Sequence, residues 1–192
     1  GMPGVPSRML GQISNTYIVA AGVEGMYLID QHAAHESILY YRLLNQWRAG
    51  EPDIQPLLEP FTVELTPQQM DVVAGAQDVL GRYGLLLDSF GSNTSLVRAV
   101  PVMSRRVDIA KLVAEALDGF RGDHGISTTH LAVAASIACH SAVRAGQTLS
   151  AGEMEALGDA LVREGNPPHC PHGRPTVVLF PTGVLDKRFG RS

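Results

Sequence analysis

The chain has 192 residues, of which 45% are hydrophobic and 18% charged, and carries a net charge of −4 with histidine neutral. That is enough apolar material for one sizeable core or two small ones, and no apolar run approaches the roughly 18 residues that a membrane-spanning helix needs. The acidic balance excludes a free-standing nucleic-acid binder of the clustered Lys/Arg kind, because neutralising phosphates takes concentrated positive charge. Only Lys187, Arg188 and Arg191, with Arg174 and Arg144, offer a local basic patch. No charged-then-apolar leader is seen, so cytoplasmic residence is expected. Gly1 ahead of Met2 has the form of a tag-cleavage remnant, and the natural chain is expected to extend further towards its N-terminus.

Residues 12–21 and 26–29, rich in Tyr, Ile and Val and separated by Gly22-Val23-Glu24-Gly25, are predicted to form a β-hairpin. From Gln31 to about Trp47 the apolar Ile38, Leu39, Leu43, Leu44 and Trp47 recur at helical spacing, and Gly50-Glu51-Pro52 stops the helix. Residues 55–65 read as an exposed, proline-stiffened loop feeding a strand in which Phe61, Val63 and Leu65 alternate. Thr66 as N-cap and Pro67 at the first helical position begin a helix to about Tyr83. Strands follow at 84–88 and 95–100 around the turn-forming Gly91-Ser92-Asn93.

Residues 107–120 form an amphipathic helix ended by Gly122. Ser127-Thr128-Thr129 cap an Ala-rich helix, expected to be buried on most sides, that reaches Ala145 with Gly146 as its stop. Ser150 and Glu153 have capping-box spacing and open a helix to Glu164, which Gly165-Asn166-Pro167-Pro168 ends. Residues 176–180 are a β-branched strand. The order of elements points to an α/β (α+β) fold of two subdomains. In it the chain leaves one part (1–50), forms a self-contained insertion (51–147) and returns (148–192).

Two short segments carry the chemistry. In Asp30-Gln31-His32-Ala33-Ala34-His35-Glu36, Asp30 closes an apolar run, while His32 and Glu36 stand four positions apart and share one helix face. Much later, Cys170-Pro171-His172-Gly173-Arg174-Pro175 offers a thiolate and an imidazole. Carboxylate, imidazole and thiolate from distant segments are what a zinc-type site requires. Soft Cys170 favours zinc, whereas Asp30 and Glu36 also accept manganese or magnesium, so Glu36 could be shared between a tightly held zinc and a weaker second ion. Taken singly, His32 and Glu36 read as structural helix residues, and Cys139 and Cys170 as buried small hydrophobes or a pair. His35, His140 and His169 are candidates for outer partners of such a site or for exposed side chains.

Gly11-Gln12, Asn15-Thr16-Tyr17-Ile18, the Asp30 to Glu36 run, Ala138-Cys139-His140, Cys170 to Pro175 and Phe189-Gly190-Arg191 occur here in an order and spacing that resemble the C-terminal domain of the MutL family of DNA mismatch-repair proteins. The resemblance implies a homodimerisation module built from both chain ends with an external subdomain inserted. In members carrying these motifs it implies a metal-dependent endonuclease that nicks duplex DNA. Asp30, His32 and Glu36 match the catalytic motif, and Cys170 and His172 complete the metal ligands. The resemblance also places Cys139, His140, Arg174 and Arg191 near the site, where the two arginines read either as phosphate contacts or as ordinary salt-bridge partners. Zinc would be structural or regulatory, and manganese or magnesium activating.

Gln55, Leu58 and Pro60 match a segment that binds the replication sliding clamp, an extended peptide suited to an apolar groove. Other partners implied are further mismatch-repair proteins and an N-terminal ATPase region that supplies much of the DNA affinity, with work at the nucleoid. One departure stands out: the family pattern places another acid five positions after Glu36, where this chain has Tyr41. The alternative is a dimerisation and clamp-docking module with structural zinc and no nicking. An unrelated zinc hydrolase would need a further nucleophile motif or cofactor fingerprint, and none is found.

Overall fold

A computed structural model describes residues 8–102, 107–120, 126–165 and 167–191, without the side chains of 126–129. Gly1-Met2, the stop at Gly122 and Asn166 of the helix stop lie outside the described residues, while Ser127-Thr128-Thr129, expected as the cap, fall inside a helix that already begins at Ile126. In chain order the elements are β1 (Arg8–Ile13), β2 (Tyr17–Gly22), β3 (Gly25–Asp30), α1 (Gln31–Ala49), β4 (Ile54–Glu64), α2 (Pro67–Gly75), α3 (Gln77–Gly81), β5 (Leu86–Ser89), β6 (Thr94–Pro101), α4 (Ile109–Asp118), α5 (Ile126–Ser141), α6 (Ala151–Arg163), β7 (Val177–Pro181) and α7 (Thr182–Arg188). The class is mixed α/β with antiparallel sheets. Two compact units emerge: residues up to Leu39 together with those from Ala142 on, and Tyr40 to Ser141, a division that falls within α1.

The first unit is a sheet of order β1-β2-β3-β7. Paired rows Ile18↔Ile29 and Ala20↔Tyr27 face inward, continued on β7 by Val177 and Leu179. They pack with Ala34 and Ile38 of α1 and with Leu149, Met154, Leu157 and Leu161 to form the core. The predicted single strand over 12–21 is instead two strands, because Ser14 (φ 52°) and Asn15 (φ 49°) both adopt left-handed backbone and fold a tight hairpin turn. Gly25 must be glycine: at φ 148° its Cβ would meet the Phe180 carbonyl oxygen at 2.3 Å.

α6 opens with the Ser150/Glu153 capping box read from the sequence. The Ala-rich helix stops at Ser141 rather than Ala145. Residues 142–149 leave the helical path, and several of their backbone groups are bonded by side chains of α1 and β1. That long-range exchange overrides local helix propensity.

The second unit carries a sheet of order β4-β6-β5. Residues 55–60, expected as a loop, belong to β4; the pairing passes from Pro56↔Ala99 to Phe61↔Val97, so the stretch between them bulges from the ladder. Thr66 forms a full capping box with Gln69, but the helix expected to reach Tyr83 breaks at Ala76 into α2 and α3. Asp108 caps α4. Val133, Ala134, Ile137 and Ala138 of α5 are buried while Leu131 is exposed, so this helix hides one stripe rather than most of its surface. Trp47 stacks on Tyr83 and on His130 at 4.9 Å each, with the Arg82 guanidinium over its ring at 5.1 Å.

Candidate metal centre

Strand pairing explains why segments about 135 positions apart meet. β3 and β7 are antiparallel, with Ile29 beside Val177, so the chain leaving β3 and the chain entering β7 lie at the same end of the sheet. Asp30 N–H donates to the Thr176 carbonyl at 3.0 Å. One and a half turns into α1, the Ser37 hydroxyl donates to the His169 carbonyl at 3.1 Å and docks the Cys170 loop on the helix.

That loop is a tight turn. Pro171 sits at its second position, where a fixed φ near −65° is favoured; Gly173 N–H closes it onto the Cys170 carbonyl at 2.9 Å, and Gly173 takes φ 78°. Cys170 N–H donates to the Arg174 carbonyl at 2.9 Å. The turn leaves Cys170 buried and His172 half exposed, both beside α1.

Glu36, Cys170 and His172 converge: one ligand atom from each lies within 4.8 Å of the others. Glu36 is wholly buried. His172 Nδ1 stands 2.8 Å from Glu36 Oε1, yet neither carboxylate oxygen receives a hydrogen bond of acceptable direction, so the contact is electrostatic. Buried carboxylate oxygens left without donors are costly unless a cation meets them. Burial pushes the Cys170 thiol up, and the adjacent Glu36 carboxylate adds to this. Backbone N–H groups of Arg174 and His172 aimed at the sulfur act in the opposite sense, as donors to a thiolate would. A carboxylate, a thiol with two donors at its sulfur and an imidazole in one cluster fit zinc.

Three of the five expected ligands thus form one group. Asp30 and His32 fall outside it and hold other partners. Asp30 Oδ1 accepts the N–H groups of His32 (3.0 Å) and Ala33 (2.9 Å), capping α1. His32 Nδ1 donates to the Val143 carbonyl at 2.7 Å, which leaves its ring lone pair on Nε2. His35 Nδ1 accepts Val143 N–H at 2.9 Å.

Arg174 and Arg191 are exposed, as is His169. Cys139 and His140 belong to the second unit, where His140 Nε2 is 2.8 Å from Glu115 Oε2 and its Nδ1 donates to the Ser136 carbonyl. Tyr41 makes an edge-to-face pair with Tyr40. Gln55, Leu58 and Pro60 are all exposed, Leu58 completely. Among the described residues no helix is long and apolar enough to cross a membrane.

Sequence reasoning gave no role to Gln31, which is fully buried. Its Oε1 accepts from Gln12 Nε2, and its Nε2 lies within 2.9–3.0 Å of the carbonyls of Asn15, Arg144 and Gln147. The available signal was a long amide at the first position of a helix between an acid and an apolar face.

Fold and cluster together define an α/β domain with a transition-metal donor set at a strand–helix junction. A family model described as the MutL C terminal dimerisation domain matches residues 10–149, and the chain belongs to that family. It is 41% identical over 189 residues to the DNA mismatch repair protein MutL of Gemmatimonas aurantiaca, a match covering 97% of this chain and 31% of the relative. It is 39% identical over 187 residues to the MutL of Koribacter versatilis, covering 96% and 29%. With the MutL of Sphingopyxis alaskensis it shares 39% identity over 184 residues, covering 94% and 30%. The chain therefore spans about three tenths of the length of these relatives.

Proposed function

We propose that this domain homodimerises, holds zinc on Glu36, Cys170 and His172, and nicks duplex DNA in mismatch repair with a second, weaker ion, manganese or magnesium, on Asp30, His32 and the shared Glu36. The observation that carries the reading is the buried Glu36 carboxylate, unsatisfied by protein donors and faced by a thiol and an imidazole. When bound, such ions supply Lewis-acid stabilisation of a phosphodiester and a water of lowered pKa. The chain's own part is positional. Asp30 presents a carboxylate whose second oxygen is not used in the helix cap, and His32 keeps its Nε2 lone pair available. Arg174, on the Cys170 turn, and Arg191 are exposed guanidiniums suited to bidentate phosphate contact. With a net charge of −4, this chain must borrow DNA affinity from the N-terminal ATPase region of the longer protein.

Dimerisation has its own support. The outward face of the first sheet is largely apolar: Val19–Leu28–Val178 runs across its middle, Ile13–Tyr17 ends on Asp30, and Ala21–Met26–Phe180 begins on Arg8. An antiparallel sheet with one face in water is normally polar on that face, so a second copy is the natural cover. Ile13, Tyr17 and Val178 remain 51%, 40% and 45% exposed in the single chain. In the second unit the bulged, fully exposed Leu58 between Gln55 and Pro60 supports docking to the sliding clamp, and Gln55→Ala with Leu58→Ala should abolish clamp binding.

Tyr41, standing where the family pattern has an acid, favours the second reading: a dimerising, clamp-docking module whose zinc is structural. Nicking of supercoiled plasmid with manganese, by the full-length protein and its Asp30→Asn variant, separates the two. Loss of nicking in the variant is expected; equal inertness of both proteins discards the nuclease.

A further inference from the structure

Val143 bonds two histidines at once, in opposite senses. Its carbonyl can only accept, so the 2.7 Å contact fixes a proton on His32 Nδ1. Its N–H can only donate, so the 2.9 Å contact requires His35 Nδ1 to be bare and places that ring's proton on Nε2. One peptide residue thus sets two imidazoles of one helix in opposite tautomers. The effect depends on where Val143 sits, and residues 142–149 follow neither helix nor strand. Their placement comes from amides. Gln31 Nε2 carries two hydrogens and serves three carbonyls, two of them, Arg144 and Gln147, in this segment. Gln12 Nε2 donates to the Gln147 carbonyl at 2.9 Å and to Gln31 Oε1, while Gln12 Oε1 accepts Leu149 N–H at 3.2 Å. Gly146 N–H closes the ring of contacts on the Asn15 carbonyl at 2.9 Å.

We infer that the Gln12–Gln31 amide pair is a positioning device for His32: it pins residues 144–149, thereby holds Val143, and thereby keeps His32 in the Nδ1–H tautomer with Nε2 bare. The inference rests on the reading of His32 as a ligand, but it concerns a different observable. The hydrogen bonds of Gln31 and Gln12 go to other residues than the zinc trio, whose geometry comes from the Cys170 turn and Ser37. Outer partners of a metal-bound histidine typically account for 10–100-fold in metal affinity.

The test uses long-range proton–nitrogen NMR of the imidazoles at a pH where histidine is neutral, on wild type, Gln31→Leu and Gln12→Leu. Wild type should show His32 as Nδ1–H and His35 as Nε2–H. The variants should turn His32 into a tautomer mixture, keep one equivalent of zinc, and weaken manganese binding, read by paramagnetic broadening at His32, about tenfold or more. Because buried Gln31→Leu could fail to fold, the less buried Gln12→Leu carries the same test. A wild-type His32 in the Nε2–H form, or folded variants with an unchanged tautomer, overturns the inference. If manganese broadens nothing near His32 in wild type while the tautomers behave as stated, the second-ion reading falls and the amide clamp stands.

Discussion

Replacing Glu36 by glutamine should invert the relation between metal and stability. In the metal-free wild type a fully buried carboxylate has two oxygens without N–H or O–H donors and only the weak Cys170 S–H beside them, and an unsatisfied buried group costs about 1–3 kcal/mol. The half-exposed His172 beside Oε1 offsets only part of that. A neutral amide of the same shape removes the charge, so metal-free Glu36→Gln should melt at or above the wild-type temperature. Zinc reverses the order. At 100-fold above its dissociation constant a ligand specific for the folded state adds about 2.7 kcal/mol. In a protein of this size each kcal/mol moves Tm by about 2–4 °C, so wild type should gain about 5–10 °C and the variant little of it. Differential scanning fluorimetry with zinc and with a chelator reads both arms. A variant that keeps the full zinc shift, or loses several degrees without metal, refutes the argument that Glu36 is held in place for a cation.

Three further outcomes follow from the packing. Gly25→Ala drives a Cβ to 2.3 Å from the Phe180 carbonyl, and denaturant unfolding should show a loss of about 1–3 kcal/mol or more, since backbone cannot yield as a side chain does. Burial, with the Arg48 charge second, holds the His130 imidazole below its ordinary pKa. The folded state therefore binds that proton less tightly than the unfolded one, so the stability it contributes is present above pH about 6.5 and lost as pH falls below it, a dependence that His130→Gln should flatten. Trp47, the single tryptophan, stacks on His130 and reports this by fluorescence. Burial pushes the Tyr83 phenol well up. Its contribution is full below pH about 10 and lost above it, and Tyr83→Phe should remove the alkaline slope while costing about 1 kcal/mol for the bond to the His130 carbonyl.

What the sequence made legible was what local rules encode. The Thr66 N-cap and the Ser150/Glu153 capping box depend on neighbours within a few positions, and both are found where their residues require them. The strand break at Ser14-Asn15 escaped because β-propensity on both sides masks a turn made by two left-handed residues. The bulged part of β4 escaped because its prolines argue for a loop, whereas pairing with β6 on either side holds it in the sheet. α7 escaped because a helix of seven residues, none of them buried, has no periodicity to read. The stop of α5 at Ser141 and the amide clamp on 144–149 could not be read at all, since their partners lie more than 100 positions away.

The same division explains the candidate site. Glu36 rides on a helix whose start is fixed by Asp30 and whose flank is tied to the opposing loop by Ser37, so its carboxylate is presented by rigid backbone. Cys170 is buried in a closed turn, while His172 is 52% exposed at its rim. Zinc held on these three side chains, as proposed above, would have a natural order of assembly: Glu36 and Cys170 would define the position, and His172 would close it from the solvent side. His172→Ala should therefore act mainly on the rate at which zinc leaves, and Cys170→Ala on whether it binds at all. Chelator-chase kinetics distinguish the two, and equal off-rates for wild type and His172→Ala would show that the exposed imidazole does not hold the ion.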